Sequence, residues 1–180
     1  MASQGPNAPT SANDTGAYWV NVTNIELSGA SKATYTTSND PESGTTSYAQ
    51  GTGFGFSIPT GATIKGITVS ITRLISSAAN MSASFSNVQL LKSGVASGTG
   101  KSGTAWTNTA VAEVLGSNGD LWGTTWTPSN INNVNFGVKA DVLYNFSGTI
   151  GSRTLSMNAY TITVTYTGNG TSCQAFTFGF

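Results

Sequence analysis

The sequence contains no histidine. That absence removes Ser-His and Cys-His nucleophilic systems, together with the common zinc sites. There is a single cysteine, Cys173, so an intrachain disulfide framework is excluded. Cys173 sits in a Gly/Ser/Thr-rich stretch with no basic neighbour to lower its pKa, and it reads as an inert thiol. Charge is scarce as well: 8% of residues are charged, where about 25% is usual. Seven basic and seven acidic side chains cancel to a formal net charge of zero. No Lys/Arg run occurs, so neither a nucleic-acid footprint nor a polybasic membrane-binding segment is present. No apolar run approaches the roughly 18 residues needed to cross a bilayer. Met1-Ala2-Ser3-Gln4-Gly5-Pro6 lacks the charged and apolar regions of a signal peptide. The expectation is a chain made in a cytoplasm without a visible N-terminal export route. Walker-type loops and Rossmann glycine patterns are also missing.

Thr, Ser, Asn and Gly fill the places left by charge. The 180 residues suit one domain with extended ends. A chain of about 150 residues already buries roughly 70% of its unfolded surface, so a substantial core is affordable in size. Near-zero net charge gives little protection against association. Such a composition fits a chain that lives bound in an assembly, or a neutral secreted protein.

Strand patterns dominate. Ile67, Val69 and Ile71 alternate with Thr68, Ser70 and Thr72, the period-two signature of a half-buried strand. Phe136, Val138, Ala140, Val142 and Tyr144 form a second alternating row. Tyr160, Ile162, Val164 and Tyr166 form the clearest one, with threonines between. Phe54 and Phe56, alternating with glycines, read as a strand before the Pro59-Thr60-Gly61 turn. Ala110 to Leu115 is another strand candidate. Phe85, Val88, Leu90 and Leu91 make an apolar stretch whose register slips by one, as at a β-bulge. The one helical signal is Thr127-Pro128-Ser129-Asn130-Ile131, with Thr127 as cap and Pro128 in the first turn. No internal repeat is visible. The pattern predicts an all-β protein: an antiparallel β-sandwich, jelly-roll-like, over residues 18–167.

Residues 1–17 carry small polar residues, Gly5, Pro6 and Pro9 without periodicity, and read as an extended N-terminal arm. Residues 168–180 read as a spacer followed by an aromatic tail. Phe176, Phe178 and Phe180 would share one face of an extended strand. Three exposed phenylalanines suit docking, onto the chain's own domain or, by strand addition, onto a neighbouring subunit.

Two segments carry a resemblance. Phe54-Gly55-Phe56-Ser57-Ile58-Pro59-Thr60-Gly61 through Arg73 is one; Leu121-Trp122-Gly123-Thr124-Thr125-Trp126 through Val138 is the other. With Trp19-Val20-Asn21, Val88 to Lys92 and Thr161 to Tyr166, they resemble a β-sandwich family recurrent in phage and prophage structural genes. The resemblance covers residues 18–167. It implies a virion structural role and transfers no catalytic signature.

Candidate chemistry is thin. The carboxylates are Asp14, Glu26, Asp40, Glu42, Glu113, Asp120 and Asp141. A glycosidase needs two of them across a sugar, and no segment is set aside for a cleft. Asp40 with Glu42, or Asn118 with Asp120, could offer oxygens to calcium, but neither has the spacing of a calcium loop and both fit turn-forming residues. Trp106, Trp122 and Trp126 are candidates for a sugar-stacking platform or for core. The sequons Asn21-Val22-Thr23 and Asn145-Phe146-Ser147 carry no weight without secretion. The expectation is therefore a non-enzymatic bacteriophage virion protein that requires no metal or cofactor. It would be a capsid decoration or cement subunit bound to the major capsid protein or to itself, built in the host cytoplasm and located in the virion. It would be a homo-oligomer or part of a symmetric assembly, contacting neither nucleic acid nor membrane. The alternative is a tail-fibre or carbohydrate-binding receptor module; a small hydrolase comes third.

Overall fold

The computed structural model describes residues 1–26, 28–38, 41–147 and 151–168. The strands are β1 (Ala2–Asn7), β2 (Ser11–Asp14), β3 (Ala33–Thr36), β4 (Glu42–Thr45), β5 (Ala49–Thr52), β6 (Thr63–Ile75), β7 (Met81–Lys92), β8 (Val95–Lys101), β9 (Val111–Ser117), β10 (Gly137–Phe146) and β11 (Thr154–Thr167). One sheet runs β1-β11-β6-β9, with β3 also on β11. The other runs β2-β5-β10-β7-β8, with β4 also on β10. The pairings are antiparallel. The chain changes sheet at most connections, which makes a jelly-roll-like sandwich of the expected class.

The alternating rows form the facing layers. Ile67, Val69, Ile71 and Ile75 of β6 meet Tyr160, Ile162 and Val164 of β11 beneath Val138, Ala140, Val142 and Phe146 of β10, all fully buried or nearly so. Thr68, Ser70, Thr161 and Thr163 face outward and are half-buried. The slip in β7 is a bulge: Asn87 pairs with Asp141 and Phe85 with Val142, leaving Ser86 unopposed. The expected helical turn, α1 (Pro128–Ile131), is capped as expected, and a 3-10 helix that the sequence pattern did not signal covers Val22–Glu26 with Ile25 buried. The Thr127 hydroxyl accepts from the Asn130 amide, and the Asn130 side chain accepts in return from the Thr127 amide.

Two expectations need correction. Phe54 and Phe56 are not in a strand. Gly53 and Gly55 take left-handed φ of 75° and 64°, which breaks the ladder, and the rings pack instead at one end of the core. There Phe54, Phe56 and Trp126 surround Phe136 at ring-centroid distances of 5.6–6.4 Å. Pairs of this kind contribute about 0.5–1.5 kcal/mol each beyond their area.

The second correction concerns residues 1–17. They are extended, but they do not project as an arm. β1 pairs with β11, with Ala2 opposite Tyr166 and Gln4 opposite Val164. β2 pairs with β5 in the other sheet. The segment straps one open side of the sandwich, and Tyr18 is no structural boundary. Gly5 has φ +112°, and a Cβ there would lie 2.4 Å from the Ile162 carbonyl oxygen. Gly5→Ala is therefore expected to destabilise the domain by more than about 1 kcal/mol. Thermal unfolding checks this, since a free arm would tolerate the change.

Candidate functional site

The three tryptophans that were candidates for a sugar platform or for core are core. Trp106, Trp122 and Trp126 are 4%, 0% and 6% exposed. Trp122 and Trp126 do not share a strand face; they lie in the irregular segment between β9 and α1. Their indole N–H groups donate to the Ile67 and Leu121 carbonyls at 2.8 and 2.9 Å. No ring is left free to stack on a sugar.

Five carboxylates are occupied in holding the fold. Asp14 accepts from the amides of Gly16 and Trp19 and from the Ser47 hydroxyl. Glu42 accepts from the Tyr35 and Ser38 hydroxyls. Glu113 pairs with Arg73 inside the sandwich. Asp120 pairs with Lys101 at 2.6 Å and accepts from the Trp122 amide; the lysine holds its pKa below the ordinary aspartate value. The Asn118 and Asp120 pair thus reads as a turn, with Asp120 committed to Lys101. Asp40, the partner of Glu42 in the other calcium candidate, lies outside the described residues. Among the described residues no cluster of three metal-ligating side chains occurs.

Asp141 faces the outer surface of the second sheet, covered by Tyr48. It accepts from the Asn87 amide at 2.7 Å, a donor turned toward it beside the β7 bulge. The Asn87 side chain donates to the Tyr48 hydroxyl, and the Lys139 ammonium lies 3.9 Å from the Tyr48 ring centroid. Burial pushes the Asp141 carboxyl above its ordinary value. The native state therefore holds this proton more tightly than the unfolded chain, so this residue's contribution to stability falls as pH rises through the carboxylate range. Asp141→Asn is expected to raise the melting temperature at pH 7, with the gain shrinking below about pH 4. Paired melting curves across pH check it.

Beside this group the sheet carries a shallow depression of about 480 Å3, lined by Ser43, Ser82, Ser84, Leu143 and Asn145 among others. Leu143 is half exposed. The surface is uncharged and mostly apolar, with the serine hydroxyls and the Asn145 amide set into it.

The sandwich's edges differ sharply from one another. A free strand edge invites pairing with another chain, and proteins usually blunt it with short length, proline, bulges or charge. β2, β3 and β4 are four residues each. β1 contains Pro6 and a register irregularity. β8 is covered, because the Thr99 amide donates to the Trp122 carbonyl across its outer side. β9 is the least protected edge. It is seven residues long, without proline or lysine, and its protection is one inward charge, Glu113 on Arg73, and the left-handed Gly116 at its end.

The direction of its backbone follows from β6. The amides of Ile67 and Ile75 donate toward the β9 side, to Asp120 and Thr107, while the Ser76 amide donates toward β11. Alternation then turns the main chain of Val111, Glu113 and Leu115 toward β6, and that of Ala112 and Val114 away from the sheet. Among the described residues neither Ala112 nor Val114 makes a backbone hydrogen bond on that side. Val114 is 60% exposed. Sequence reading identified this segment as a strand but not as an edge. The one available signal was the isolated acid amid apolar residues, with no gatekeeping lysine.

Phe176, Phe178 and Phe180 lie outside the described residues. In comparisons with known proteins, no family model matches the chain, and no curated protein matches it. A solved structure described as "CBM4 structure and function" is 12% identical, covering 73% of this chain and 82% of that chain with a TM-score of 0.40.

Proposed function

We propose that this chain is a non-enzymatic structural subunit of a tailed-bacteriophage virion, acting as a capsid decoration or cement protein. The observation that carries the reading is the bare β9 edge on a neutral sandwich. Five of its carboxylates hold strands and turns, and its tryptophans fill the core. Such a molecule offers surfaces for packing. The resemblance of the Phe54–Arg73 and Leu121–Val138 segments to phage structural genes supports the virion setting. Mass spectrometry of purified particles from a phage that encodes the chain tests it. The expected result is this chain at a fixed stoichiometry to the major capsid protein; its absence from particles defeats the reading.

A receptor-recognition module is the second reading, favoured by the uncharged Ser/Asn depression around Leu143. Its test is a glycan array probed with the full chain, where binding lost on Asn145→Ala would favour it over the first.

A further inference from the structure

We propose that the β9 edge of one copy receives the Gln174–Phe180 segment of another as an added antiparallel strand. This rests on the assembly reading above and names the surfaces through which copies engage. Three observations point to that occupant. First, edge and segment match in polarity. The one charge of Val111–Ser117, Glu113, points inward, and the segment carries no charged side chain. Second, the patterns match. The outward main-chain groups of Ala112 and Val114 can take up a new ladder. The segment alternates Phe176, Phe178 and Phe180 with Thr177 and Gly179. With Phe176 set opposite Val114 and Phe178 opposite Ala112, the rings lie on the outer face beside exposed Val114, an aromatic and β-branched juxtaposition that cross-strand pairing favours.

Third, chain geometry favours a second copy over the same one. β11 is separated from the far side of β9 by β6 and β9 themselves. That is three strand spacings, or about 14 Å. Thr167 lies opposite Thr63, whereas Gly116, which Gln174 faces when Phe176 faces Val114, lies opposite Thr68. The lengthwise offset from residue 168 is thus about 20 Å, at roughly 3.3 Å per residue. The straight distance is then about 24 Å, beyond the roughly 20–22 Å that the six steps from residue 168 to 174 span when drawn taut. The direct route is also obstructed. The turn after β9 closes over β6, with Asp120 bonded to the Ile67 amide and the Asn118 backbone 2.2 Å from where a Cβ on Gly66 would sit. Donation to a neighbour escapes both constraints. Repeated head to tail, it links copies into rings or open arrays.

The test uses full-length chains in sedimentation velocity. One variant blocks the edge, Val114→Lys. The other disables the donor, with Phe176→Ser, Phe178→Ser and Phe180→Ser together. Circular dichroism confirms that both fold. The expected result is concentration-dependent association of the parent and at least a tenfold loss of association in each variant. An equimolar mixture of the two should form a one-to-one heterodimer, since one retains the donor and the other the acceptor. A monomeric parent, unaltered association of the Val114→Lys chain, or no heterodimer overturns the proposal. A donor variant that associates more than the parent also overturns it, because that shows the segment closing its own edge. If the chain is still found in purified particles while association fails, the strand exchange is wrong and the virion reading stands.

Discussion

Glu113→Ala should lower the stability of the domain by about 3–5 kcal/mol, the usual cost of breaking one side of a buried ion pair. Arg73 and Glu113 face inward from neighbouring strands, with Nε to Oε2 at 2.6 Å and side chains 4% and 6% exposed. The other carboxylate oxygen accepts from the Thr104 hydroxyl and amide. Arg73 Nη2 donates to the same hydroxyl at 2.7 Å. The guanidinium lies 6.0 Å from the Trp106 ring centroid. Alanine at 113 would leave a guanidinium in the core with only that hydroxyl as partner. At about 2–4 °C per kcal/mol for a chain this size, the melting temperature should fall by roughly 6–20 °C. The converse change is informative. Replacing both partners by Arg73→Met and Glu113→Leu should recover most of the loss, because the desolvation of two charges disappears with them. Urea titration separates the outcomes by midpoint at constant slope. A loss under 1 kcal/mol for Glu113→Ala would show that the pair is solvated in solution.

The second large effect is expected at Trp122. It is fully buried, and it holds a left-handed φ of +57°. Three polar contacts fix it: the indole N–H on the Ile67 carbonyl, the amide on Asp120, and the carbonyl accepting from the Thr99 amide at 2.7 Å. Lys101 covers the ring at 5.0 Å from its centroid. Trp122→Ala should cost about 3–5 kcal/mol through the cavity left behind. Trp122→Phe keeps much of the volume but strands the Ile67 carbonyl, and should cost about 1–3 kcal/mol. The same burial predicts blue-shifted tryptophan emission that acrylamide quenches poorly and that oligosaccharides leave unchanged. A sugar-stacking tryptophan would show the opposite.

How far the sequence was readable depended on whether a segment buries one face. β6, β10 and β11 each line the core with alternate residues, and their rows were plain from Ile67, Val138 and Ile162 onward. The cap at Thr127 was equally plain, because capping chemistry is local. β1 was not, since an edge strand such as Ala2–Asn7 buries none of its residues fully and its partner is some 160 positions away. Phe54 and Phe56 misled for the opposite reason. They alternate as in a strand, yet Gly53 and Gly55 bend the chain between them. The candidate edge was hidden because the exposure of Val114 depends on which strand lies beyond β9, and that is decided by topology.

The strap across the sandwich's open side also has a consequence in time. β1 cannot pair until β11 exists, because Ala2 sits opposite Tyr166 and Asn7 opposite Ile162. β11 is also the inner strand on which β3 and β6 align. A ribosome adding about 5–20 residues per second therefore leaves the early strands without their sheet for many seconds. Contacts so distant along the chain make folding slow, in the millisecond-to-second range even once synthesis is complete. Threonine, serine and asparagine in place of bulkier apolar residues on the outer faces keep the waiting segments soluble. The sparse charge of this chain is thus tolerable during synthesis because its stickiest strands, β10 and β11, emerge last.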